Sequence, residues 1–196
     1  MIEPDATPPV EGGQTPFFER IRSLLAEAEE SIPPLTVLVW GPAENQADPW
    51  WLKRLEIRDQ LRHLGHEAYF SEELPGGAAP LGDARRLALR TVEMAHAMAA
   101  DYIIVLMSSY GSVSEFHDFG DKPALAKKML VFVDEAHQSG YAASLLQAFR
   151  GSNGRIELIT VPRDLVECNI RTKALEAVDD LHQLKMFDAL EGRGCG

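Results

Sequence analysis

The stretch Asp101-Tyr102-Ile103-Ile104-Val105-Leu106-Met107-Ser108 decides the fold class. A sheet with one wet face imposes alternation of apolar and polar residues. A short continuous apolar run instead describes a strand covered on both faces, as in a parallel sheet under helices. Leu35 to Trp40 and Lys128 to Val133 read the same way, and Glu67 to Ser71 and Ile156 to Val161 are weaker versions. Between these runs the apolar spacing becomes helical. Helices are predicted at Trp50 to Leu64, Asp83 to Ala99, from Val113, at Gly140 to Phe149, and at Asp164 to Leu190. Another, Phe17 to Glu30, precedes the first strand. Strand and helix alternate, which predicts parallel βαβ units joined by right-handed crossovers. The expected fold is α/β: a flavodoxin-like or Rossmann-like three-layer sandwich with a five-stranded parallel sheet in the order 2-1-3-4-5.

Composition narrows the function. Residues 1–14, rich in Pro, acid and Gly, read as a disordered leader; 15–191 as a single α/β domain; 192–196 as a flexible tail. The net charge of −11 argues against a nucleic-acid or anionic-membrane binder, which needs clustered Lys and Arg. One or two local cations still suffice for a small phosphate-bearing ligand. Cys168 and Cys195 do not make a disulfide framework, and a cytoplasmic location is expected. No apolar run of membrane-spanning length occurs. The histidines His63, His66, His96, His137 and His182 lie at no metal-ligand spacing, so neither metal nor cofactor is expected. The loop Gly41-Pro42-Ala43-Glu44 lacks the Gly-x-Gly-x-x-Gly of a dinucleotide fold, and no Gly-Lys-Ser/Thr occurs for a phosphate-binding NTPase loop.

In an open parallel sheet, ligands bind beyond the carboxyl ends of the strands, where the strand order reverses. For the order 2-1-3-4-5 that point lies between strands 1 and 3. The informative loops are therefore Trp40 to Trp51 and Ser108 to Phe119. In the second, Gly111 permits a close backbone approach, and Ser112 can cap the next helix. Glu115 either completes a capping box with Ser112 or faces the cleft from the first helical turn.

Here a family resemblance enters. Gly111-Ser112-x-x-Glu115, after a buried strand that opens on Ala100-Asp101, is similar to the Gly-Thr-x-x-Glu signature of the nucleoside 2-deoxyribosyltransferases. Trp40-Gly41-Pro42 resembles that family's Gly-Pro after its first strand. Arg54-x-x-x-Arg58 through Leu64-Gly65-His66, then Phe70-Ser71-Glu72-Glu73-Leu74, resembles bacterial relatives of the group found in anti-phage systems. Those are related in architecture to TIR domains, which also cleave N-glycosidic bonds with a helix-borne Glu. The resemblance covers roughly Val37 to Val133. The chain departs from the transferases in two places. It has Ser108-Ser109-Tyr110 where they usually carry an Asp before the Gly-Thr pair. It has Glu115-Phe116-His117-Asp118-Phe119 where they often carry Glu-x-Gly-x-Ala.

The resemblance implies an N-glycosidase, hydrolase or transferase, acting on a nucleoside, nucleotide or NAD-like molecule, with Glu115 as the carboxylate at the anomeric carbon. A carboxylate there stabilises or attacks an oxocarbenium-like centre. The leaving base needs a proton or hydrogen bond, for which Asp118, His117 and Ser112 are candidates. Trp40, Tyr110 or Trp51 can stack on a base. Arg54 and Arg58, one helical turn apart, can meet a phosphate or form a solvated helix face beside Glu56 and Asp59. Trp40 reads equally as core, and His117 as a surface histidine. A non-catalytic nucleotide-sensing module, or a TIR-like signalling module on the same fold, is the rival reading. The resemblance also implies a homodimer or higher assembly; the helix Phe17 to Glu30 or the C-terminal helix can supply the contact, and nothing in the sequence fixes which.

Overall fold

The computed structural model describes residues 16–75, 83–108, 116–137 and 141–192. The expected leader and all of the expected tail but Gly192 lie outside them. The described residues form two compact units. The larger runs from Pro34 to His182, and the smaller joins the chain before Pro34 to that from Gln183 onward.

The larger unit holds five strands: β1 Thr36–Trp40, β2 Glu67–Tyr69, β3 Tyr102–Met107, β4 Met129–Asp134 and β5 Arg155–Ile159. They form one parallel sheet in the order β2-β1-β3-β4-β5, as the sequence predicts. β3 is central and all six of its residues are buried. Successive side chains point to opposite faces, so each inner strand feeds two cores. Val37, Val39, Ile104, Leu106, Leu130 and Phe132 enter one core. Leu38, Trp40, Ile103, Val105, Met129 and Val131 enter the other. This two-sided demand is what makes the runs continuous in sequence.

Helices cover both faces. On the first lie α2 (Pro49–His63), contributing Trp51, Ile57 and Leu61, and α7 (Asn169–Leu190), contributing Ile170, Ala174, Ala177 and Val178. On the second lie α3 (Asp83–Ala99), the helical residues 116–119, α4 (Pro123–Ala126) and α5 (Tyr141–Gly151). These contribute Ala97, Phe116, Phe119, Leu125, Leu146 and Phe149.

The single helix predicted over Asp164 to Leu190 is in fact two. α6 (Arg163–Val166) stops at Glu167, whose backbone is extended at φ −74°, ψ 165°, before α7 begins. Tertiary contacts hold the break. Lys53 Nζ donates to the Glu167 carbonyl at 3.3 Å, and Asn169 Nδ2 donates to Asp164 at 3.0 Å and to Glu167 at 3.1 Å. The second strand is also shorter than expected: after Tyr69 the chain enters a 3-10 turn, Ser71–Glu73, closed by Glu73 accepting from the Phe70 amide at 2.7 Å.

In the smaller unit, α1 (Pro16–Ser31) forms where the helix Phe17 to Glu30 is predicted, and of its residues only Ala28 is buried. No helix among the described residues is long and apolar enough to cross a membrane.

Candidate functional site

The observed strand order puts the reversal between β1 and β3, which directs attention to the segments after Trp40 and Met107. Trp40 is 1% exposed. Its Nε1 donates to Ser71 Oγ at 2.6 Å, and its ring lies 5.5 Å from that of Phe119 at 41°. Burial leaves it no open face for stacking on a base. It instead ties the end of β1 to the segment after β3. Gly41 comes next, in a tight place: a Cβ there would stand 3.2 Å from both Arg54 Cδ and Leu106 Cβ. Pro42 offers its carbonyl inward, to Arg54 Nη1 at 2.9 Å.

Arg54 is turned into the protein, 2% exposed. Its Nε donates to the Val39 carbonyl at 2.9 Å, and Nη1 and Nη2 grip the Glu72 carboxylate at 2.6 and 2.9 Å. Its guanidinium stacks 4.1 Å over the Phe70 ring, with Arg58 at 4.3 Å from the same ring. Burial alone would push the Glu72 carboxyl up. The hydrogen bonds and charge of Arg54, helped by Arg58, outweigh it and hold Glu72 below the ordinary carboxylate range. Arg58 pairs with Asp59 and Glu73, each at 2.7 Å. The two arginines therefore brace the loops after β1 and β2.

A cleft of about 300 Å³ is lined by Arg90, Thr91 and Met94 of α3 and by Asp118, Phe119 and Lys122. Arg90 Nη2 donates to Asp118 Oδ1. His117 Nδ1 lies 3.5 Å from the same oxygen. Beside them on α3, Glu93 is half-buried. Burial first, then the charge of Asp118, pushes its carboxyl up against the opposing pull of Arg90. The cleft thus gathers two cations and a paired carboxylate, beside a carboxyl whose ionisation burial opposes. Phe119 connects this group to Trp40, so the two loops at the strand-order reversal converge on one side chain.

Glu115, Ser112, Gly111 and Tyr110 lie outside the described residues. Asp118 and His117 come together; Arg54 and Arg58 meet over Phe70, on the other side of the β1 end. Sequence reading missed Arg90, Glu93 and Lys122. The sequence held little signal for them: on α3 the spacing marks Met94 and Ala97 as the core side, and nothing local ties Arg90 to Asp118, 28 residues on. Among the described residues no cluster of three or more metal-ligating side chains forms.

Comparison with known proteins assigns the chain to no family. No protein-family model matches it, and none of the curated proteins does. Among solved structures it is similar to a conserved protein from Enterococcus faecalis V583, at 15% identity and a TM-score of 0.45, over 71% of this chain and 99% of that one.

Proposed function

We propose that this protein cleaves the C–N glycosidic bond of a nucleotide-like substrate, with Glu115 as the carboxylate that meets the anomeric carbon. One observation carries the reading. The segment that contains Glu115 runs directly into residues 116–119, whose Phe119 touches Trp40 and whose Asp118 borders the cleft with Arg90 and Lys122. This is where a doubly wound sheet binds its ligands.

In the reaction, the Glu115 carboxylate bonds to the anomeric carbon as the C–N bond breaks, and the bonding pair leaves with the base. The base takes up a proton. Glu93, next to the cleft on α3, is a candidate for that donation, because burial and the Asp118 charge push its carboxyl up. Asp118, held by Arg90, serves as an acceptor for sugar hydroxyls or an exocyclic amine. Water then cleaves the glycosyl ester, or a second base replaces it. Arg90 and Lys122 favour a phosphate-bearing substrate over a neutral nucleoside.

The test is a product screen by chromatography and mass spectrometry. Native protein and Glu115→Gln are each incubated with NAD, nucleoside monophosphates and deoxynucleosides. Release of a free base by native protein alone, with both proteins folded, supports the reading. Binding without release by either protein moves the conclusion to a nucleotide sensor.

A further inference from the structure

We propose that the smaller unit is a self-association surface: α1 and the last turns of α7 pack against the same helices of a second copy, the two α1 helices running antiparallel. Phe17, Ile21, Leu24 and Ala28 recur at steps of four, three and four residues, the spacing of a helix seam, and Phe18 and Leu25 widen it. Within the chain only Ala28 of this stripe is buried. Phe17 is 67% exposed, Phe18 56%, and Leu24 and Leu25 46% each. On α7, Phe187 is 63% and Leu190 43% exposed. These two join Met186 and Leu25 around a cavity of about 250 Å³, so the apolar surface continues from one helix to the other.

Area and charge both select a second copy as the occupant. The exposed apolar side chains of this face present on the order of 700 Å², above the usual largest patch of a monomer and near the roughly 800 Å² per partner of a stable interface. A two-fold dimer applies one patch to itself, so the patch must complement itself in charge. It does. Arg20 and Glu27, seven residues apart, flank the stripe on one side, and Arg22 and Glu29, also seven apart, flank it on the other. With the two-fold near Leu24 and Leu25, antiparallel helices set Arg20 beside Glu27 of the second copy, and Arg22 beside its Glu29. A parallel pairing instead holds each charge level with its own counterpart. Glu27 is already oriented by Ser23 Oγ, which donates to it at 2.8 Å.

Sedimentation velocity on the full chain at graded concentrations tests this. The expected result is a concentration-dependent species of twice the 21.7 kDa chain mass. Leu24→Ser and Phe187→Ser each weaken it by roughly 100-fold, and circular dichroism confirms that both variants stay folded. Arg20→Glu weakens it about tenfold at low salt, and Arg20→Glu with Glu27→Arg restores it, as only the antiparallel pairing requires. A monomer at every concentration overturns the proposal, whether or not that monomer binds vesicles or another protein. So does a dimer indifferent to both serine substitutions, or a charge swap that fails to restore it.

Discussion

Replacing Arg54 with methionine tests how the loop after β1 is held. Methionine keeps an unbranched stem against Phe70 and Trp51, which Arg54 now covers at 4.1 and 5.5 Å, but brings no donors. The carbonyls of Val39 and Pro42 each lose a partner at 2.9 Å, and a buried acceptor left dry costs about 1–3 kcal/mol. Glu72 is 45% exposed and can turn to water, so its pairing with Arg54 contributes only about 1 kcal/mol. Removing a buried charge also removes its desolvation cost, which offsets part of the loss. The net expectation is a destabilisation of about 3 kcal/mol, against about 1 kcal/mol for Glu72→Gln. Urea unfolding followed by tryptophan fluorescence and circular dichroism measures both. The acid dependence carries a sign. Because the folded protein holds the Glu72 carboxyl low, the pair's contribution is present above the unfolded pKa and is lost as pH falls through the folded one. The gap between parent and Glu72→Gln therefore closes in acid. An Arg54→Met variant within about 1 kcal/mol of the parent, or a Glu72→Gln variant equally damaged, would refute the reasoning.

Two further outcomes concern the second core and the cleft beside it. Gly154→Ala places a Cβ against the ring of Phe149, which is fully buried and stands 4.9 Å from Phe116. Overpacking there lowers Tm by roughly 5–10 °C in a calorimetric scan; an unchanged Tm would mean that the Phe149 ring moves freely. Glu93→Gln removes a carboxyl whose ionisation burial and Asp118 oppose. A raised folded pKa gives stability that is present below the unfolded value and lost as pH rises through the folded one, so this variant exceeds the parent at about pH 8. The advantage vanishes below about pH 4, and a gain that persists in acid would point to packing rather than charge.

What could be read from the sequence divides along physical lines. β1, β3 and β4 are covered on both faces, so burial writes itself into them as unbroken apolar runs, and the strand order comes from their alternation with helices. The break between α6 and α7 leaves no such trace. It depends on Lys53, 114 residues earlier, reaching the Glu167 carbonyl. Arg54 escaped for a similar reason. Its neighbours Glu56 and Asp59 suggest a wet helix face, whereas the partner that holds it, Glu72, lies 18 residues on, beyond β2. Local charge pattern describes the surface of an isolated helix, and Arg54 answers to the sheet.

That misreading bears on the chemistry. Candidate ligand-binding groups sit on both sides of the β1 end, but they are not equally placed to act. On the α2 side, Arg54 is spent on two carbonyls and a carboxylate; Trp40, on the opposite face, is buried and spent on Ser71 and Phe119. On the α3 side, Arg90 and Lys122 are 55% and 46% exposed at the mouth of a cleft, and Glu93 holds its proton more tightly than an ordinary glutamate. A ligand that reached Arg54 would have to break the contacts that order the loop it binds. A ligand in the α3 cleft has only to compete for one exposed cation of the Arg90–Asp118 pair. The proposed chemistry therefore looks for its charged groups to α3 and residues 116–122, and not to the braced arginines of α2.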